Sequence, residues 1–351
     1  MVSKKRKEKM SWSESLLYKY SKTYRQIWKN KETLEDIKAQ NIQTQVMLQD
    51  LAGKSGKISE TGLSVSEFVS FLNYTVDITK LPPAKGKMRA LQLADAEILR
   101  IFDEACRKHN LQYWLDFGTL LGAVRHQGFI PWDDDMDVAM PRESYNRLFD
   151  ILEEEFKGTE LHFYGKYGTF MKWDNFIRIS YHGTYLNLDV FPYDFYYKPL
   201  KTDEEKQQLS QKMIAGREFY NMNFSQVEEN EASLTAFRKQ LSDYTFKNIC
   251  EGKQAEKPES QSRPAIFKGI ENWAYFKPYF YDYDDIFPLQ KRKFEGMEFN
   301  VPHNQHKYLA HIYGNYWSFP ENLNRHEGVF LSGIPSNIDE IITKLQAIRI
   351  K

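Results

Sequence analysis

Asp133, Asp134, Asp135 and Asp137 crowd into one short run, Pro131-Trp132-Asp133-Asp134-Asp135-Met136-Asp137-Val138-Ala139-Met140. On a strand, residues i and i+2 point to the same face. Asp135 and Asp137 are therefore expected side by side, with Met136 and Val138 turned into the core. Adjacent carboxylates repel unless a cation lies between them, and hard oxygen ligands of this kind suit Mg²⁺ or Mn²⁺. The pair reads as a metal site. Asp133 and Asp134 read as outer partners of it, one of them serving only as an exposed turn residue. Upstream, the apolar run Leu111–Leu115 breaks at Gly118-Thr119 and a helix follows at once. Gly118, without a Cβ, lets the backbone approach a phosphate closely, and Thr119 adds a hydroxyl. A phosphate cradle beside paired carboxylates points to nucleotide phosphate chemistry with a metal.

Further downstream, Leu186-Asn187-Leu188-Asp189-Val190 alternates, placing the leucines and valine on one face and Asp189 on the other. An aspartate on a buried strand is costly unless paired or metal-bound. Asp189 is thus the third carboxylate that two-metal phosphoryl transfer calls for, as ligand, as general base for the acceptor hydroxyl, or as both. Asp194 is a weaker substitute at the end of the same segment.

The elements that must hold these residues follow from periodicity. Met88–Asn110 is expected to be an amphipathic helix with Met88, Leu91, Ile98, Leu99, Phe102 and Cys106 on one stripe. The Leu111 strand, the Gly-Thr turn, a short helix and the Asp-bearing strand come next. Arg142–Phe156 reads as a helix, followed by strands at 161–165, 170–181 and 185–191. The predicted class is α/β (α+β), a mixed sheet flanked by helices. The expected organisation is a basic helical arm at 1–60, a linker at 61–85 and a catalytic core at 86–200. A helical insertion at 201–262 and a C-terminal part at 263–351, completing the site, would follow.

The string GTLLGAVRHQGFIPWDDDMDVAM, residues 118–140, resembles the LicD/fukutin family of nucleotidyltransferase-fold phosphotransferases. The likeness continues at Leu188-Asp189-Val190-Phe191-Pro192, Asp285-Ile286-Phe287-Pro288, Phe294-Glu295-Gly296, Val301-Pro302, Tyr308-Leu309, Tyr313-Gly314 and Pro320. It spans residues 86–330. The resemblance implies a nucleotidyltransferase-like core and a third carboxylate from a neighbouring strand, which falls on Asp189. It implies transfer of a phospho-alcohol from a CDP-linked donor to a sugar hydroxyl, with release of CMP. Phosphocholine is the favoured group, with ribitol phosphate or glycerol phosphate as the close rival. The acceptor would be a cell-envelope glycan (teichoic acid, capsule or lipopolysaccharide) or its lipid-linked precursor. Arg125 is either a clamp for the donor diphosphate or a solvent-facing helix residue. His126 orients a phosphate or caps the helix. Lys172 and Arg178 are candidates to neutralise the leaving CMP, and Trp132 is expected to pack beneath the metal strand. His326 lies in a segment that could reach the site, although a surface histidine is the commoner outcome.

Composition narrows the setting. Lys+Arg and Asp+Glu are equal at 48 each, but the first thirty-one residues hold ten basic residues against Glu8 and Glu14. No apolar stretch follows, so this is not read as a signal peptide. The basic start is a solvated tail or a contact for anionic lipid, and nucleic-acid binding is not expected. The helix-prone 12–52 stretch could form a coiled-coil arm that makes a homodimer. Cys106 and Cys250 sit in no CxxC pattern, which argues against a zinc site or a disulfide framework and fits a cytoplasmic protein, peripheral at the inner membrane face. Two other classes stay open: a nucleotidyltransferase that uses an NTP, and an inactive membrane-associated scaffold.

Overall fold

A computed structural model describes residues 57–58, 63–164, 176–184, 186–224, 226–228, 231–254, 263–271, 278–320 and 334–350. The basic arm, the coiled-coil expectation, Lys172 and His326 lie outside these residues. The chain forms two compact units, 1–89 with 316–328, and 90–315 with 329–351. Among the described residues no helix is long and apolar enough to cross a membrane.

In the first unit, β1 (Lys57–Ile58) pairs antiparallel with β2 (Leu63–Ser64), and α1 spans Val65–Thr75. Val69 and Phe71 are buried, so residues 65–75 of the expected linker are a packed helix. Val65, Phe68, Val69 and Leu72 recur at helical spacing there. Asp77 then caps a 3₁₀ turn, Ile78–Lys80, by accepting from the Thr79 N–H.

The second unit is built around a mixed sheet. Its first helix, α2 (Gly86–Lys108), starts in the preceding unit and carries Arg107 and Lys108 in its last turn, where cations favour the helix dipole. Leu91, Ile98, Leu99, Phe102 and Cys106 are buried as one stripe, as the periodicity predicts. Next come β3 (Trp114–Leu115), α3 (Phe117–Arg125), β4 (Asp137–Pro141), α4 (Arg142–Glu155), β5 (Leu161–Tyr164), β6 (Ile177–Tyr181) and β7 (Asn187–Phe195). The strands lie in the order β3-β4-β7-β6-β5. β4 runs parallel to β7 and the other pairs are antiparallel. The mixed α/β class inferred from periodicity is the observed one.

β7 is the spine. One edge pairs with β4; the other pairs with β6 over Asn187–Val190 and then with β8 (Ile266–Lys268) over Tyr193–Phe195. β9 (Phe280–Tyr281) extends that end. Helices α5 (Asp203–Phe224) and α6 (Glu231–Tyr244) fall within the 201–262 stretch. They share a core in which Leu209, Met213, Tyr220, Phe237 and Leu241 meet Tyr196, Phe267 and Ile270.

Toward the C-terminus come α7 (Tyr283–Ile286), the hairpin of β10 (Gln290–Phe294) and β11 (Met297–Val301), α8 (Gln305–Tyr313) and α9 (Ile338–Ala347). The hairpin turn grips the loop after α3. The Glu295 N–H donates to the Gln127 carbonyl at 3.0 Å, and Glu295 Oε1 accepts from the Phe129 N–H at 3.1 Å. Arg100 of α2 donates to the Leu345 and Ile348 carbonyls at 3.0 and 3.2 Å, closing the end of α9.

Candidate active site

Asp116, on the chain leaving β3, sets the geometry. It is fully buried and caps α3, its Oδ1 accepting from the Phe117 N–H at 2.8 Å. The Tyr308 hydroxyl donates to the same oxygen at 2.8 Å and the Tyr193 hydroxyl to Oδ2 at 3.0 Å. Burial holds the Asp116 carboxyl above its ordinary range despite these donors. Phe117 adopts φ +38°, a left-handed conformation unusual for a residue with a Cβ. Gly118 and Thr119 therefore lie inside the first turn of α3, where a separate turn was expected.

Two contacts tie that turn to the acidic run. The Thr119 hydroxyl accepts from the Asp137 N–H at 2.8 Å, so it fixes the start of β4. A Cβ on Gly118 would lie 2.6 Å from Asp133 Oδ2. The glycine is required here for close approach of a carboxylate.

Strand β4 begins at Asp137, so Asp135 precedes the strand instead of sharing it. The cause is the shortness of β3, which pairs only Trp114 with Ala139 and Leu115 with Val138 before turning into the Asp116 cap. Residues 133–136 thus lack a ladder on that side. The chain folds compactly, and carboxylate oxygens of Asp133, Asp134 and Asp135 all lie within 4.8 Å of one another. Asp137 stands opposite Asp189 in the parallel β4–β7 register, and Arg178 stands opposite Asp189 on β6. Arg178, Asp189 and Asp137 form a row across three strands on one face. Arg178 Nε and Nη2 donate to the two Asp189 oxygens at 2.6 and 2.7 Å. Sequence reasoning assigned Arg178 to the leaving nucleotide; the structure sets it on Asp189.

Burial, followed by the neighbouring Asp135 charge, raises the carboxyls of both Asp133 and Asp137 well above their ordinary value. Asp189 acts on Asp137 in the same direction. A site that concentrates anionic oxygens at this cost is chemically suited to a hard divalent cation. Among the described residues Asp133, Asp134 and Asp135 are the group whose oxygens converge closely enough to hold one; Asp137, which feels the Asp133, Asp135 and Asp189 charges, adjoins it.

Arg125 and His126 form their own pair: Arg125 Nε donates to His126 Nε2 at 3.0 Å. Burial and the Arg125 charge lower the imidazole to about 4, so it is neutral and able to accept. Arg125 is itself buried rather than solvent-facing, its guanidinium lowered to about 10 by desolvation and supported by the Asp133 charge. Asp194 belongs elsewhere. It lies on the other face of β7 from Asp189, where Arg142 Nε and Nη2 donate to its oxygens at 2.8 Å and Arg142 also pairs with Glu271. Cys106 and Cys250 are buried free thiols.

Besides Asp116, three groups at the site were missed by sequence reasoning. Asp95 on α2 is fully buried; its Oδ1 accepts from the Asn187 N–H at 3.1 Å, while Oδ2 is buried and unpartnered among the described residues. Burial raises its carboxyl, with Asp134, Asp135 and Asp189 adding to the effect. Gln92, one turn earlier, donates to the Asp133 carbonyl at 2.9 Å. Lys268 on β8 is the third, 5% exposed, with its ammonium against aromatic rings. Each has a signal in the chain: Gln92 and Asp95 fall on the apolar stripe of α2, and Lys268 interrupts the apolar run Ala265-Ile266-Phe267.

Residues 110–219 match the family described as LicD/FKTN/FKRP, nucleotidyltransferase domain. The chain is 46% identical over 71 residues to the lipopolysaccharide cholinephosphotransferase LicD of Haemophilus influenzae, covering 20% of this chain and 27% of the relative. It is 29% identical over 112 residues to the ribitol 5-phosphate transferase FKRP of Homo sapiens, covering 30% of this chain and 21% of that protein. The chain thus spans about a quarter of the length of these relatives.

Proposed function

We propose that this chain, whose residues 110–219 match the LicD/FKTN/FKRP nucleotidyltransferase domain family, moves phosphocholine from CDP-choline to a sugar hydroxyl. The observation that carries this reading is the acidic cluster itself. Asp137 stands in register with Asp189, beside Asp133–Asp135, at the N-terminus of a glycine-containing helix. Over 71 residues the chain is 46% identical to a cholinephosphotransferase.

In this reading the acceptor oxygen attacks the phosphorus that bears the alcohol, the bond to the bridging oxygen of CMP breaks, and a phosphodiester forms. The hydroxyl proton leaves to a carboxylate oxygen of the cluster. Both Asp189 oxygens already accept from Arg178, so an Asp137 oxygen takes that proton. The aspartates would hold Mg²⁺ or Mn²⁺, which when bound supplies positive charge to phosphoryl oxygens as charge develops on them. Gly118 keeps the helix N-terminus open to the cluster, and Arg125, fixed by His126, supports it from the side of Asp133. A CDP-linked donor places the work in the cytoplasm, with the basic N-terminal residues touching the inner membrane face where a lipid-linked acceptor is presented.

One observation favours ribitol phosphate as a second reading. An aromatic cage near the cluster, formed by Phe117, Phe191 and Tyr279, already encloses the Lys268 ammonium, so that cage is closed to a choline headgroup. The test is ³¹P NMR of a lipid-linked glycan acceptor incubated with CDP-choline, CDP-ribitol or CDP-glycerol in turn, with Mg²⁺ and again in excess EDTA. A phosphodiester signal with CMP release from CDP-choline, abolished by EDTA, is the expected result. Transfer that persists in EDTA, or AMP- or CMP-transfer from an NTP with release of pyrophosphate, would overturn the reading.

A further inference from the structure

Lys268 ends β8 opposite Tyr193. Alternation along β7 puts Asp189, Phe191 and Tyr193 on one face, and a residue opposite Tyr193 shares it. The Lys268 Nζ lies 4.5 Å from the Phe117 ring centroid, 5.1 Å from Phe191 and 5.8 Å from Tyr279. Phe117 packs edge-on against both other rings, at 5.7 and 6.2 Å. The strained backbone of Phe117, fixed by the Asp116 cap, thus aims one wall of this cage.

The cage holds the ammonium but does not satisfy it. Among the described residues the Lys268 ammonium has no hydrogen-bond or ion-pair partner, although the residue is 5% exposed. Asp116 and Asp137 both attract it, yet the Asp116 oxygens are taken by Tyr193, Tyr308 and the Phe117 N–H. A buried cation with unfilled N–H donors is costly unless a ligand supplies the acceptors. The neighbouring guanidinium, Arg178, is engaged in a fork with Asp189. Among the described residues Lys268 is the cation on this face whose ammonium donors remain open.

We propose that Lys268 is a substrate-contacting residue, its ammonium hydrogen-bonding a non-bridging oxygen of the diphosphate of the donor. The inference rests on the CDP-alcohol reading above. The phenylalanine and tyrosine rings orient the ammonium and keep it from collapsing onto Asp137, which leaves the carboxylates to the cation and the ammonium to the phosphate.

The experiment measures binding of CDP and of cytidine by calorimetry in excess EDTA, so that no metal contributes, for the wild type, Lys268→Met and Lys268→Arg. Wild type is expected to bind CDP more tightly than cytidine. Lys268→Met should weaken CDP by about ten- to hundredfold, the worth of one charge-assisted hydrogen bond, and leave cytidine unchanged. Lys268→Arg should recover part of the loss. A second measurement needs no variant: acetylation of Lys268 in wild type, mapped by mass spectrometry, should be slowed by pyrophosphate and by CDP but not by cytidine. Equal CDP affinity in wild type and Lys268→Met, or acetylation indifferent to pyrophosphate, overturns the assignment while leaving the donor reading intact. If wild type binds no CDP even with Mg²⁺, the donor reading falls and the assignment falls with it.

Discussion

Arg178 and Asp189 meet face to face across β6 and β7, the guanidinium spanning both carboxylate oxygens at 2.6 and 2.7 Å. The fork orients one member of an acidic cluster while its neighbours crowd it. Its strand register places the same aspartate beside Asp137, so one arginine steadies a carboxylate that could also face a cation.

Removing that arginine exposes the cost. Arg178→Met should destabilise the metal-free protein by about 1–3 kcal/mol, since a partly exposed fork is worth less than a fully buried one. Mg²⁺ should then raise the melting temperature more in the variant than in wild type, because the cation replaces part of the missing charge. Equal Mg²⁺ shifts in thermal melts of the two proteins would show that Asp189 is not part of the cation site.

Gly118 cannot gain a methyl group without displacing Asp133, whose Oδ2 would be 2.6 Å away. Gly118→Ala is expected to cost about 1–3 kcal/mol of stability and to reduce Mn²⁺ affinity, read by electron paramagnetic resonance. Unchanged Mn²⁺ binding would remove Asp133 from the ligand set.

The raised carboxyls of Asp133 and Asp137 carry a pH signature. A carboxyl whose folded value exceeds its unfolded value stabilises the fold most at low pH, where it is protonated, and that contribution is lost as pH rises through the raised folded value. Metal-free protein should therefore lose stability as pH rises from about the ordinary carboxylate value of 3.8 toward neutrality. Asp137→Asn should flatten the decline, as should saturating Mg²⁺. Denaturant melts across pH in EDTA test this; a profile identical in wild type and Asp137→Asn would contradict it.

The Thr119 hydroxyl is the acceptor for the Asp137 N–H at 2.8 Å. Thr119→Val leaves that buried donor unmatched and should cost about 1–3 kcal/mol, whereas Thr119→Ser should retain most of the stability. Hydrogen exchange at the Asp137 amide gives a local readout, with faster exchange expected only in the valine variant.

Reading along the chain was enough for the amphipathic stripe of α2 and the mixed class, and it singled out Asp135, Asp137 and Asp189 as carboxylates to test. Those features are local: a period of 3.6 or 2, or a dense string within a few dozen residues, carries its meaning in order and spacing alone. Placing Asp135 on the strand failed because the end of β4 depends on where β3 leaves it, at the Asp116 cap. The pairing of Arg178 with Asp189, the Asp116 hub that gathers Tyr193 and Tyr308, and the caged Lys268 are contacts between segments separated by 11 to 192 residues or joined only through the sheet. Nothing in their spacing encodes such contacts. They exist because β7 is paired along both edges, and its register decides which distant charges share a face and which, like Asp194, are turned away.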